Sequence, residues 1–339
     1  MGKNSSTRWR APLLALVREG RCARRVRCGS DGSGGSGVRH GERPRRLGRV
    51  LLAGMLCVLL GACGNVRLAY DHADTLILLW ADHYADFTQE QEQQLIKPRL
   101  RELLAWHRAV QLPDYARMLT RVATRLDPAR GGRGEVSGRE VLAFEDEFRA
   151  SFLVLAERAL PDLAELALAL QPEQIERIDR KMGDAIEKYR KEAIGDPANP
   201  SMVKRADRAI DRAEDWLGRL ARTQRDQVRA AAGRLLLPHA VLLEERQERR
   251  RELVALLRRV QRDRPPREAV ITALRGYTTA VIAPPGDPAH ERRRALSASN
   301  AELTAVIVNL ATPEQRSRAV DKLQGWIDDF QQLAARKHP

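Results

Sequence analysis

Carboxylates and imidazoles crowd one stretch of the chain: Asp71, His72, Asp74, Asp82, His83 and Asp86. On a helix His83 and Asp86 share a face at i, i+3 spacing, and imidazole with carboxylate is a donor set for a divalent metal. The same stretch carries an apolar stripe of Tyr70, Ala73, Leu76, Ile77 and Trp80. The acids therefore read better as the wet side of an amphipathic helix, and no metal ligand is assigned. Trp106-His107 offers a general base, but a core aromatic beside a hydrogen-bonded histidine explains the pair more simply. Cys22 and Cys28 have the wrong spacing for a CxxC pair, and no histidine lies between them. No HExxH, phosphate loop or nucleophile elbow occurs. No catalytic residue and no cofactor is assigned, and the chain is not expected to be an enzyme.

One thiol stands apart. Arg43, Arg45, Arg46 and Arg49 precede an apolar stretch from Val50 to Leu60, and Gly61-Ala62-Cys63 follows. A basic region, an apolar region and small residues in that order make a secretory signal, and the apolar stretch is too short to span a bilayer. Leu60-Gly61-Ala62-Cys63 resembles the lipobox of bacterial lipoproteins. The resemblance implies a diacylglycerol on the Cys63 thiol, recognition of Leu60, Gly61 and Ala62 by the signal peptidase, cleavage after Ala62, and acylation of the new amino terminus. Several acyl chains anchor stably where one is marginal. Gly64 follows the anchor where an Asp would mark inner-membrane retention, so the resemblance implies the outer membrane, facing the periplasm.

Charge tells the same story. The 339 residues carry a net charge of +14, which invites a nucleic-acid reading. Residues 1–62 hold 13 Lys/Arg and 3 Asp/Glu, a net of +10, and leave only +4 for the remainder. The basicity belongs mainly to the export leader, and nucleic acid is not an expected partner. Residues 1–42, rich in Arg, Gly and Ser without helical or strand periodicity, read as a disordered leader. They are followed by a signal peptide over 43–62 and an all-helical periplasmic domain over 63–339. A leader this long puts the expected translation start downstream, at Val38. All four cysteines lie at or before Cys63, so the mature chain needs no disulfide.

Beyond Cys63 the chain is rich in Ala, Leu, Arg, Glu and Gln, all good helix formers, and apolar residues recur at three and four. The expected fold is all-α, a multi-helix bundle or an elongated stack of antiparallel helix pairs. Helices are expected near 66–86, 88–110 with a kink at Pro98, 113–126, 138–159, 161–170, 172–194, 201–221, 223–263 with a kink at Pro238, 266–282, 288–310 and 313–336. A short motif recurs at Thr88-Gln89-Glu90-Gln91, Gln171-Pro172-Glu173-Gln174 and Thr312-Pro313-Glu314-Gln315, with a looser copy at Thr223-Gln224-Arg225-Asp226. Helix initiation explains it: a polar cap accepts from the N3 amide, Gln at N3 reaches back, Pro suits N1 and Glu the positive helix end. With a preceding apolar residue the motif also resembles the Leu-Thr-x-x-Gln of Spy-like periplasmic chaperones, small cradles of helices.

Val66-Arg67-Leu68-Ala69-Tyr70, Ala73-Asp74, Trp80, Tyr84, Leu103-Leu104-Ala105-Trp106-His107-Arg108 and Leu112-Pro113-Asp114-Tyr115 resemble a family of uncharacterised Gram-negative helical lipoproteins. That resemblance implies localisation and fold and carries no catalytic residues. Three functions fit. An interaction or scaffold lipoprotein would bind another envelope protein through its helical surface. A Spy-like holdase would present a concave apolar-basic face. An unrecognised cell-wall-acting enzyme would need a pocket with convergent carboxylates.

Overall fold

Helix formers do what their composition dictates. In a computed structural model the protein is described over residues 65–130, 135–193, 201–235, 239–282 and 288–336, and no strand occurs among them. The α-helices are α1 (Asn65–Asp71), α2 (Ala73–Ala85), α3 (Lys97–Trp106), α4 (Leu112–Leu126), α5 (Gly138–Ala169) and α6 (Pro172–Ala193). They continue as α7 (Ser201–Leu217), α8 (Arg222–Gly233), α9 (His239–Asp263), α10 (Arg267–Ile282), α11 (Pro288–Leu310) and α12 (Pro313–Ala335). The leader, the signal segment and Leu60, Gly61, Ala62 and Cys63 lie outside the described residues.

Proline divides the helices differently from the sequence expectation. Residues 89–126 form one rod, in which π turns at Gln91–Ile96 and His107–Gln111 immediately precede α3 and α4. Pro98 and Pro113 each sit in the first turn after a π turn. Proline has no amide proton and crowds the carbonyl four residues back, so a locally widened turn accommodates it without ending the rod. Pro161 does not end its helix either: the segments expected at 138–159 and 161–170 are the single helix α5, which buries Leu160, Ala164 and Ala167 around the proline. Conversely, the expected 66–86 helix breaks at His72. The expected 223–263 helix is two, with α8 ending at Gly233 and α9 beginning at His239; the kink expected at Pro238 lies outside the described residues.

The order of helices repeats. In the first half α2 leads through a short linker to the rod, then to α5 and α6; in the second, α7 leads to α8 and α9, then to α11 and α12, with α10 as an addition. Packing repeats with it: α2 lies against α6 and α3, and α7 against α12 and α8. The fourth helices are exchanged, since α12 packs along α4 of the first half and α6 along α9 of the second. One apolar cluster joins Leu160, Ala164, Leu170 and Ile175 to Val254, Leu257, Val260 and Val270. Two others join Ile210, Leu217, Leu220 and Val228 to Ala319, and Ala116 and Ala123 to Leu323 and Ile327. The first and third of these cores are assembled from both halves, whereas the second lies within the second half.

Candidate functional site

The recurring glutamines build reciprocal polar junctions between helices. Gln91 Nε2 donates to the Ala169 carbonyl at 2.7 Å and to Gln174 Oε1 at 3.0 Å. Gln174 Nε2 answers with the Asp86 carbonyl at 3.1 Å and Gln91 Oε1 at 2.8 Å. The oxygens also accept from their own helix caps, Thr88 N to Gln91 at 3.0 Å and Gln171 N to Gln174 at 2.9 Å. A carboxamide has two donor protons and two acceptor lone pairs, so each amide here is fully used. The second half repeats the arrangement with Gln224 and Gln315. Their amides exchange bonds at 2.8 and 3.3 Å, reach the Leu310 and Arg219 carbonyls at 2.7 and 3.1 Å, and accept from Ala221 N and Thr312 N at 2.9 Å each. In all four cases the carbonyl lies two residues before the partner's cap.

The capping role expected for the motif is present at Thr88 and Thr312, whose hydroxyls accept from the Gln91 and Gln315 amides. The looser copy is out of register by two residues. Its cap is Ala221, which has no side-chain acceptor, and its N3 residue is Gln224. The structure therefore uses Leu220-Ala221-Arg222-Thr223-Gln224, and Thr223 plays no capping part. Chemically, paired neutral amides fasten helices and neither bind a cation nor move a proton.

The linkers before the first motif of each half correspond too. Asp86 (φ 56°) and Gly218 (φ 76°) both adopt the left-handed conformation that ends their helices. Asp82 Oδ1 accepts from Phe87 N at 2.8 Å, and Glu214 Oε1 from Leu220 N at 3.0 Å. Arg177 pairs with Asp86 at 3.5 Å, and Arg318 lies where a side chain on Gly218 would project. Counted back from Asp86 and Gly218, Leu78 on α2 corresponds to Ile210 on α7 and Ala85 to Leu217, all buried.

The carboxylate and imidazole stretch does not converge. Asp86 is tied to Arg177, Asp71 pairs with Arg336 at 2.6 Å, and Asp82 caps the linker. His83 is pushed below its ordinary pKa by burial and then by the Lys181 and Arg177 charges, surroundings that repel a cation. Among the described residues no group of three His, Cys, Asp or Glu side chains is placed to hold a metal.

Sequence reasoning placed His107 in a core, and the structure gives its partner. The second π turn sets His107 Nδ1 2.9 Å from the Tyr70 hydroxyl, which also lies 3.2 Å from the Leu104 carbonyl. Gln111, on the same turn, accepts from the Tyr115 hydroxyl at 2.9 Å and donates to the Ser151 carbonyl at 2.7 Å. Burial pushes His107 down to about 4 and Tyr115 up to about 12, the nearby Asp114 adding to the latter. Tyr70 is likewise raised, chiefly by burial. The cluster is neutral at physiological pH, and an imidazole so poorly basic is no proton acceptor there.

A second polar group, which no motif announced, ties α5 to α9 and α11. Ser297 donates to Glu145 at 3.1 Å, and Arg294 meets Asp146 at 2.5 Å. Glu245 faces Arg249, Arg292 and Arg293 at 3.7, 3.2 and 3.8 Å. Burial, then Arg293, push Arg249 down to about 10, while burial raises Glu145.

The remaining feature is apolar. Leu68, Ile77, Leu79, Trp80, Val110, Phe148, Leu153, Val154 and Leu163 are large, exposed and all in the first half. The sequence matches DUF6279, a family of unknown function, over residues 83–274, more than half of the chain, and the protein belongs to that family. Neither the curated proteins nor the solved structures provide a match.

Proposed function

We infer that the protein is a lipid-anchored cell-envelope protein that works by binding, held through Cys63 in the outer membrane facing the periplasm, with its helical surface engaging another envelope protein. Its mature part is the helical domain over 63–339, left after removal of the leader and of the signal peptide over 43–62. The lipobox resemblance supports the anchor. The observation that carries the binding role is the adjacent exposed pair Leu153 (37%) and Val154 (53%) on α5, with Leu163 (46%) exposed further along the same helix. Counting back from the paired carbonyls of Ala169 and Leu310, the equivalent positions on α11 are Arg294, Ala295 and Thr304. The fold does not require apolar residues there, and exposed apolar side chains grouped together mark interaction surfaces. The reading assigns no catalytic step and no cofactor.

A photo-crosslinking residue at Val154 in cells tests it. A discrete adduct at Val154, absent at the equivalent Ala295 and lost in Cys63→Ala, is the expected result. The same adducts at both positions would overturn it. Labelled palmitate checks the anchor, whose incorporation must vanish in Cys63→Ala.

A Spy-like periplasmic chaperone is the second reading, supported by the recurrence of the motif and by the same exposed apolar residues. Its glutamines are consumed in helix fastening, so client binding would fall to the apolar surface instead. Failure of the 64–339 fragment to suppress aggregation of a denatured client at molar excess would count against it.

A further inference from the structure

The two halves supply an internal control for each other's surfaces. Leu78 and Ala85 point α2 into its core, as Ile210 and Leu217 do for α7, with the same capped, left-handed linker after each. A helix with one buried side leaves about half its circumference outward. On α2 that outward side is Ala73, Leu76, Ile77, Leu79, Trp80, His83 and Tyr84, with no Asp, Glu, Lys or Arg among them. On α7 the equivalent positions are Arg205, Arg208, Ala209, Asp211, Arg212, Asp215 and Trp216. Ala209 and Trp216 flank the buried side and pack on the core, and the other five, all Arg or Asp, show how the outermost part of this position is furnished in the second half. Leu79 (54%), Ile77 (42%) and Trp80 (37%) are nonetheless exposed on α2, as is Leu68 (38%) on α1.

What covers them is indicated by where the chain enters. Only Gly64 separates Cys63 from Asn65, the first residue of α1. α1 is itself pinned to the body: Arg67 pairs with Asp329 at 2.9 Å and also meets Gln332, while Asp71 pairs with Arg336. An acylated Cys63 would have no linker with which to hold the body away from the bilayer. From Asn65, two residues after Cys63, Trp80 is 15 residues along two successive helices, a path of roughly 22 Å at 1.5 Å per residue. The face combines exposed aliphatic side chains with Trp80 and the half-buried Tyr84, residues whose apolar ring and polar edge suit the headgroup boundary. Acids on this segment do not oppose such a contact. Asp74 and Asp82 fall on the flanks of the buried side, engaged with Thr75 N and Phe87 N respectively.

We propose that the outward face of α2, centred on Leu79 and Trp80, lies in the interface of the bilayer that holds the anchor, so that the protein is seated on the membrane in one orientation and not tethered loosely above it. This rests on the lipid-anchor reading, which the test separates from it. The lipidated mature protein, with a bimane fluorophore on Leu79→Cys or, as control, on Arg212→Cys, is reconstituted into phosphatidylethanolamine–phosphatidylglycerol vesicles containing a brominated phospholipid. The label at 79 is expected to lose about half its fluorescence, because an interfacial helix seats its apolar face roughly 5–10 Å deep, while the label at 212 keeps its intensity. With the label moved to Ile77→Cys, the pair Leu79→Asp and Trp80→Arg, which installs the residues α7 carries, should abolish the quenching while leaving the thermal midpoint unchanged.

Vesicle-bound protein with an unquenched label at 79 overturns the proposal and leaves the anchor standing. A disulfide between two unlabelled Leu79→Cys chains, without quenching, would assign the face to a second copy instead. Protein that stays in the supernatant refutes the anchor; the labelled soluble chain is then titrated with the same vesicles, and no quenching at saturating lipid refutes the docking as well.

Discussion

Replacing Gln174 by Leu tests the fastening of the first half directly. Leu is one bond shorter than glutamine but no smaller in volume, so the change removes bonds with little loss of packing. Four hydrogen bonds vanish: those to the Asp86 carbonyl, from Gln171 N, and two with Gln91. Each neutral bond is worth about 1 kcal/mol net, and a buried group left unpaired costs about 1–3 kcal/mol. Gln91 keeps its bonds to Thr88 N and the Ala169 carbonyl, and the leucine gains from burial, which limits the loss. The expected destabilisation is about 2–4 kcal/mol, read as a lower urea midpoint at unchanged slope by circular dichroism. Gln91→Leu should cost a similar amount, and the double variant less than the two together by about 1–2 kcal/mol, because the second substitution removes a partner already stranded. Gln174→Leu with Gln315→Leu, in separate junctions without a shared partner, should add to within about 0.5 kcal/mol. A loss below about 0.5 kcal/mol for Gln174→Leu, or additivity within the Gln91–Gln174 pair, would refute the reciprocal amide junction.

Three further outcomes follow from the geometry. His107 is folded with its pKa lowered from 6.5 to about 4, so between those values the unfolded chain binds the proton that the native state refuses. Stability should be complete above about pH 6.5 and fall by about 2–3 kcal/mol as pH drops toward 4, and His107→Gln should flatten that part of the pH profile measured by urea denaturation. Gly218→Ala should cost about 1–2 kcal/mol in thermal unfolding, since it puts a Cβ on a left-handed residue against the Arg318 guanidinium, whereas Asp86→Gly at the equivalent site should be tolerated within about 1 kcal/mol. Arg67→Ala leaves the buried Asp329 without its partner and should destabilise by about 1–3 kcal/mol, recovered in part by Asp329→Asn in the same background.

The helices were legible where local chemistry settles them. Thr312 with Pro313 and Gln315 starts α12 where its cap box predicts, and Ser137, accepting from Glu140 N, starts α5. Proline misled, because its cost to a helix depends on what surrounds it. Pro98 was expected inside its helix and is there, but Pro113 follows a π turn and Pro161 sits among core side chains, so a residue that ends an isolated helix is carried inside these too. The looser motif misled for a related reason. Thr223 looked like a cap, but Gln224 reaches back to Ala221 N without help from a hydroxyl.

By itself the sequence determined the helical class, most helix starts and the location of most of the net positive charge in residues 1–62, because composition, capping and net charge are read over a few residues. It also raised the lipid anchor at Cys63, which remains a matter of local sequence. Which glutamine meets which was decided only in three dimensions: Gln91 and Gln174 are 83 residues apart, Gln224 and Gln315 are 91 apart, and a capping motif uses one acceptor of the amide while the rest of its hydrogen bonds depend on a distant chain. The equivalence of α2 and α7 was likewise hidden, since their outward residues share almost nothing. Only the common burial, the paired left-handed linkers and the exchanged fourth helices show that they occupy one position twice, once facing water and once presenting Leu79 and Trp80.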